Sequence, residues 1–342
     1  MGANGERGPR RRSFAPGRIN LIGDHTDTTG GLVLPMAVQL GTSVDLVAGG
    51  DVVRLVSGAE PDPAVVPLDV ADPAGVTPAW AAYVAGVVAE IAPRRGGEGR
   101  VTSTLPIGAG LSSSASLEVA VALALGATGS PLDLARRCQR AEQRASGVPC
   151  GIMDQLASVA GVAGHALLID CASLDVEPVA IPDGVEVRAV HSGQARRLAG
   201  SAYAARRASC EQAETVVGPL RTATAEDLVA IDDVEVRRRA RHVVTENLRV
   251  RAFAEALGRR DLALVGELMA ASHRSLRDDF EVSTGALDAL VDRLGRHGGV
   301  HGVRLTGAGF GGCVVVLCEP GALDEGWRLE ASDGATVDVV EA

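Results

Sequence analysis

Short β-branched apolar runs separated by Gly and Pro turns fill roughly the first hundred positions, and their alternation predicts strands over residues 33–38, 43–47 and 52–56. The period then lengthens. Tyr83, Val87 and Ile91 recur at helical spacing, and Thr77-Pro78 offers an N-cap and a first-turn proline, which predicts a helix over residues 79–91. A strand over 101–105 runs through Pro106 into a turn of glycines and serines, a helix over 113–125 follows, and Ser130-Pro131 caps another that reaches about residue 146. Beyond strands at 165–170 and 185–190 the texture becomes mainly helical. Arg-rich amphipathic patterns predict helices over 203–217 and 234–257, with more to about residue 296. Strands at 303–306 and 313–318 flank a second glycine-rich loop. The pattern is mixed α/β, with a boundary near 183 that divides residues 1–183 from 184–342, and it contains no internal repeat or low-complexity segment.

Composition adds constraints. With 342 residues, 46% of them hydrophobic and only 2% aromatic, the chain can bury an aliphatic core without staples. All 33 basic side chains are Arg, against 43 acidic ones, for a net charge of −10. Without lysine there is no P-loop lysine, no Schiff base and no lysine ion pair of the protein-kinase kind. Any phosphate must be met by backbone N–H groups, helix dipoles, Arg or a metal. The acidic balance argues against a nucleic-acid partner. Arg10, Arg11 and Arg12, the one dense basic run, read as a solvated N-terminal tail. Cys138, Cys150, Cys171, Cys210, Cys313 and Cys318 show no C-x-x-C spacing, so buried reduced thiols are expected and zinc is not. No apolar N-terminal run resembles a signal peptide, and the longest apolar stretch, 115–125, is broken by Glu118, which points to a cytoplasmic chain without a membrane partner.

Three segments carry candidate chemistry. Residues 106–116, Pro-Ile-Gly-Ala-Gly-Leu-Ser-Ser-Ser-Ala-Ser, lie between a predicted strand and a predicted helix. Glycines let N–H groups converge on an anion, serines add hydroxyls, and the helix N-terminus adds its dipole. A serine there can also ligate Mg²⁺. The bland alternative is a Ser-rich N-cap after a tight turn. The second segment, residues 15–37, places Arg18, Asp24, His25 and Asp27 within ten positions, a grouping suited to sugar hydroxyls or to a simple turn. The third carries Asp154 among apolar neighbours, where a carboxylate must be paired or functional.

In sequence order these segments resemble the GHMP small-molecule kinases, and within them the galactokinase family. The resemblance runs from about residue 14 to 317 and includes the loop 306–313, Thr-Gly-Ala-Gly-Phe-Gly-Gly-Cys, as well as segments 241–250 and 272–283. It implies an α/β (α+β) fold of two domains, 1–183 and 184–342, with the active site in the cleft between them. It implies that Gly108, Ala109, Gly110, Leu111, Ser112, Ser113 and Ser114 wrap the ATP phosphates, and that Ser114 and Glu142 hold Mg²⁺. Asp24, His25, Thr26, Asp27, Gly151 and Tyr203, the last in the segment that opens at Arg196-Arg197, would hold the sugar. Arg18 would lie by the reacting oxygen, with Asp154 as base. The loop 306–313 would wall the phosphate side, and Trp80 and Tyr83 lie on a further segment similar to the family.

The implied reaction moves the γ-phosphoryl group of Mg-ATP to the anomeric hydroxyl of galactose, in a monomer or weak oligomer. Asp24, Thr28 and Thr29 depart from the family's usual Glu, Tyr and Asn. A related sugar 1-kinase for N-acetylgalactosamine, arabinose or a uronic acid is therefore open, as is a non-catalytic sensor of galactose and ATP. The intact Arg18, Asp154, Ser114 and Glu142 weigh against the sensor.

Overall fold

The computed structural model describes residues 8–106, 108–194 and 199–340. Its first half is organised by a long antiparallel pair, β1 (Arg10–Asn20) with β3 (Pro35–Ala48), joined through the short β2 (Leu32–Val33). The two strands expected within β3 are one. Gly41 looks like a turn in the sequence, but a Cβ there would sit 2.3 Å from the Ala15 carbonyl oxygen, so this glycine allows close pairing. The triple arginine is no tail either: it opens β1, and Arg10 grips Asp45 on β3 with Nε–Oδ1 and Nη2–Oδ2 contacts of 2.7 and 2.5 Å.

β4 (Val52–Ser57) and β5 (Ala64–Pro67) extend this sheet. Helix α1 (Ala79–Ile91) has the expected span but not the expected cap, since Pro78 itself stands at the N-cap and has no side-chain acceptor to offer. β6 (Gly97–Ser103) begins four residues before the predicted strand because Gly97 and Gly99 press onto β3, where a Cβ at Gly99 would lie 2.4 Å from Asp45 O. Next come α2 (Ser113–Ala124), α3 (Pro131–Ser146) and α4 (Met153–Ala160). Ser130 and Asp133 close a reciprocal capping box on α3. β7 (His165–Asp170) and β8 (Val176–Ala180) form a small sheet with β2.

The second half holds β9 (Glu186–His191), α5 (Ala199–Val217), α6 (Val234–Gly258), α7 (Leu262–Asp278), α8 (Gly285–Leu294), β10 (Val300–Leu305), β11 (Cys313–Cys318) and β12 (Trp327–Leu329). Its sheet runs β10-β11-β9-β12. The last strand, β13 (Thr336–Val340), crosses back to pair with β1, so the first sheet reads β13-β1-β3-β6-β4-β5, antiparallel except between β4 and β6. One hydrophobic core cluster joins Ile19 and Leu34 to Val187, Phe253 and Val315 across the two halves. Among the described residues no helix is long and apolar enough to cross a membrane.

Helices α1 and α3 approach closely at Gly86, where a Cβ would lie 2.3 Å from Ala141 O. Backbone cannot yield as a side chain can. Gly86→Ala is expected to lose about 1–3 kcal/mol of stability. Gly258→Ala, with nothing within 4 Å of the added carbon, should be neutral or gain up to about 1 kcal/mol. Urea denaturation of both variants checks the contrast.

Candidate active site

A cavity of about 730 Å³ opens between the halves, lined from the first by Arg18, Ser112, Ser114, Glu142 and Asp154 and from the second by Tyr203 and Gly307. Its floor begins at a bulge. The β1–β3 register shifts between Pro16 and Arg18, and Gly17 leaves room for the loop before α2, since a Cβ would meet Leu111 O at 2.4 Å. That bulge aims Arg18 inward. Its Nε and Nη2 donate to Asp154 Oδ1 and Oδ2, each at 2.7 Å, while Nη1 donates to Gly110 O at 2.8 Å. Asp154 stands in the first turn of α4 and keeps 26% of its side chain exposed toward the cavity.

Ser112 occupies the N-cap of α2 with φ +57° and makes no cap. Its hydroxyl donates instead to Asp154 Oδ2 at 2.5 Å. The N–H groups of the first turn of α2 are thereby left uncapped by this serine and available to an anion, which removes the bland reading of the serines as a cap. Gly108 and Gly110 hold φ of +76° and +71°, backbone that favours glycine. Gly108, Gly110, Leu111, Ser112, Ser113 and Ser114 all border the cavity. Ala109 does not, being 1% exposed in the core, and Ile107 lies outside the described residues.

Deeper in, Ser114 Oγ donates to Glu142 Oε1 at 2.8 Å, and Gln155 Nε2 donates to Glu142 Oε2 at 2.5 Å and to Glu118 Oε2 at 3.1 Å. Burial and then the Asp154 charge push the Glu142 carboxyl above its ordinary range, against the pull of Ser114 and Gln155. Glu118, which interrupts the apolar run of α2, is fully buried and shifts well up, through burial and then Glu142. Two hard oxygen donors side by side, with charge in need of compensation, fit Mg²⁺, which keeps waters and substrate phosphates as its other ligands. Among the described residues no group of three or more His, Cys, Asp or Glu is arranged to hold a metal.

At the other end His25, with φ +67°, packs its ring 4.6 Å from Phe280 and 5.5 Å from Tyr203. Burial, helped by His242, lowers its pKa to about 3, so the ring is neutral. Gly151 is where it must be: a Cβ would fall 1.9 Å from Asp27 Oδ2. Asp27 titrates at about 7, raised first by burial and then by Asp154 and Asp24. Tyr203 on α5 holds its proton more tightly than usual, through burial and then Asp27.

Asp24 borders the cavity, yet both oxygens are engaged, Oδ2 with Arg304 at 2.5 Å and Oδ1 with the Gly307 N–H at 2.8 Å. The loop after β10 therefore braces the sugar segment, and its Gly307 and Ala308 also border the cavity. Thr26 is a brace as well, its hydroxyl 2.9 Å from Gly23 O and 2.6 Å from Leu32 O, and it does not border the cavity. Nor do Thr28 and Thr29, so of the three departures only Asp24 reaches the site.

Sequence reasoning missed His191, Cys150 and the Ser112 contact, all at the cavity. Cys150 is half-buried rather than a core thiol. Tyr83 borders the cavity, while Trp80 packs in the first-half core with Nε1 3.1 Å from Asp62 O. The arginines of α5 are not merely a solvated face. Arg206 Nε reaches Phe280 O and Arg207 Nη1 reaches Pro149 O, both at 2.6 Å, because their stems lie along the α5 packing edge. Arg196 and Arg197 lie outside the described residues.

Such an anion-ready helix start beside a paired carboxylate is shared by a class. Family models for the GHMP kinases N terminal domain and the GHMP kinases C terminal match residues 82–162 and 253–328, and the galactokinase galactose-binding signature matches residues 4–45. Fold and site define a GHMP kinase. The chain is 46% identical to the galactokinase of Homo sapiens, over 94% of this chain and 86% of the human protein, and 43% identical to that of Chloroflexus aggregans, over 93% and 86%. Its fold superposes on Lactococcus lactis galactokinase complexed with galactose with a TM-score of 0.89 at 30% identity, covering 96% and 95% of the two chains. Mevalonate kinase from L. major shares the fold alone, with a TM-score of 0.66 at 18% identity. The chain belongs to the galactokinase family.

Asp27 gives a pH test. Its proton is held more tightly in the folded state, at about 7, than at the ordinary 3.8. Stability from this group is therefore full below the lower value and is lost as pH rises through the upper. Asp27→Asn is expected to melt above the parent at about pH 8, with the gap narrowing toward about pH 5. Calorimetric melts at both pH values measure it, and a gap that widens in acid would refute the assignment.

Proposed function

We propose that this cavity binds galactose and Mg-ATP side by side and transfers the γ-phosphoryl group to the anomeric hydroxyl. The carrying observation is the position of Asp154, held by Arg18 and Ser112 at the junction of the phosphate loop and the sugar residues. Gly108 to Ser114 would cradle the phosphates with backbone N–H groups and the α2 dipole. Ser114 and Glu142 would hold Mg²⁺, which supplies charge neutralisation on the phosphates. Neutral His25, Gly151, Asp27 and Tyr203 would fix the sugar, with Asp24 aimed by Arg304 and Gly307 and still carrying lone pairs for a hydroxyl.

In this arrangement the sugar hydroxyl meets Asp154, which accepts its hydrogen bond and takes its proton as the oxygen attacks in line. Arg18 is permanently charged, so it lowers the pKa of that hydroxyl and stabilises negative charge gathering on the transferring group. The division of labour between residues 1–183 and 184–342, a cytoplasmic setting and a monomeric or weakly associated state belong to this proposal.

Asp154→Asn should lower kcat by about 10²–10⁴-fold and leave ATP binding measurable. Single-turnover assays and calorimetric ATP titration read the two quantities, and a fully active variant sinks the role. An ADP-release panel of galactose, N-acetylgalactosamine, arabinose and galacturonic acid tests the acceptor. Galactose is expected to lead, and its failure beside an active rival would transfer the function to that sugar.

A further inference from the structure

Helix α6 turns a polar face to the sugar segment where an apolar one would pack more simply. His242 and Glu246 are 0% exposed and Asn247 is 7% exposed, and the three share one face at helical spacing. Each meets a backbone group of residues 21–32. His242 Nε2 lies 3.1 Å from Asp24 O, Glu246 Oε1 accepts the Gly23 N–H at 3.1 Å, and Asn247 Oδ1 accepts the Leu32 N–H at 2.7 Å. From β10, Arg304 Nη1 adds a donor to Leu21 O at 3.1 Å. The segment is cut to fit this face: a Cβ at Gly23 would meet Val250 Cγ2 at 2.9 Å, and one at Gly31 would meet Asn247 Oδ1 at 2.5 Å.

Glu246 is the hub. Its Oε1 also accepts the Ser272 hydroxyl at 2.5 Å, and its Oε2 accepts Arg249 Nε at 2.7 Å. Burial opposes its charge, but Arg249, His242, Arg304 and Ser272 outweigh burial and bring the carboxyl down to about 2. Asn247 Nδ2, Arg249 Nη2 and Arg304 Nε are buried without a hydrogen-bond partner, so what the network contributes is the set of directed bonds it does make to residues 21–32. None of His242, Glu246 and Arg304 borders the large cavity. What they determine is the course of the backbone that carries Asp24, His25 and Asp27.

We propose that Glu246, flanked by His242 and Asn247, is a positioning residue for the acceptor sugar, acting through the backbone of residues 21–32. The proposal rests on the galactose reading above. Positional errors near 1 Å are costly in such sites, so loss of one arm should appear in sugar use first.

The experiment uses the full chain with Glu246→Ala, Glu246→Gln and Asn247→Ala. Glu246→Ala should raise the galactose KM by about tenfold or more and leave the ATP KM within about twofold. Amide exchange should accelerate over residues 21–32 and not over 108–114. Glu246→Gln keeps an acceptor for the Gly23 N–H but turns its amide N–H toward Arg249 Nε, so it should recover part of the loss in galactose KM and in exchange over 21–32, while Asn247→Ala, which cuts one neutral bond, should move the same readouts less than Glu246→Ala. The proposal is overturned if galactose KM and exchange over 21–32 stay at parental values in both alanine variants. It is equally overturned if both KM values rise together with a fall in Tm, the mark of a merely structural role. Should Glu246→Ala not fold, Asn247→Ala and Glu246→Gln decide by the same readouts. A parent chain inactive on galactose would defeat the functional reading, and the exchange comparison would still judge the positioning.

Discussion

Arg18 is 7% exposed, and three of its guanidinium bonds are spent on two elements distant in sequence, Asp154 of α4 and the Gly110 carbonyl of the phosphate loop. Removing one partner of such a pair strands a buried charge, at a cost of about 3–5 kcal/mol, so the pair locks β1, the loop and α4 into one arrangement. Ser112 joins by giving its hydroxyl to Asp154 rather than to the helix start. With that lock in place the carboxylate faces the cavity, the cation lies beside it, and the first-turn N–H groups of α2 are left uncapped by Ser112.

The lock concentrates negative charge. Asp24, Asp27, Glu118, Glu142 and Asp154 lie close enough for several to shift one another, and the chain spends its cations carefully among them. Arg18 compensates Asp154 and Arg304 compensates Asp24, but Asp27 and Glu142 rise instead. In the proposed reaction both also meet ligands, Asp27 a sugar hydroxyl and Glu142 Mg²⁺, alongside the compensated Asp154 and Asp24.

Elements whose signals are local were legible. Helix α1 kept its predicted span and α3 its capping residue, and β7 and β11 kept their bounds, because periodicity and Ser-Pro punctuation act over neighbouring residues. Failures came where a distant partner decides. Gly41 reads as a turn until Ala15 lies against it, and Arg10 reads as tail until Asp45 faces it. The same holds in the site. Motif order named Arg18, Asp154, Ser114 and Glu142, and the structure brings all four to one cavity. Nothing in the order of residues showed that Ser112 would refuse its cap, that Thr26 would face inward, or that Asp24 would be held by Arg304.

The sugar segment shows the limit of a local motif most clearly. Residues 24–27 look self-sufficient as a signature, yet Asp24 is held by Arg304, 280 positions away, its carbonyl meets His242 at a separation of 218, and the Gly23 N–H meets Glu246 at 223. The strand that closes the first sheet comes from the far end of the chain. The two halves therefore do not simply abut across a cleft that each could line alone. The second half supplies the rule against which the first half's most recognisable residues are laid: α6 bears on residues 21–32 through their backbone, while Arg304 of β10 bears on the Leu21 carbonyl and on the Asp24 carboxylate.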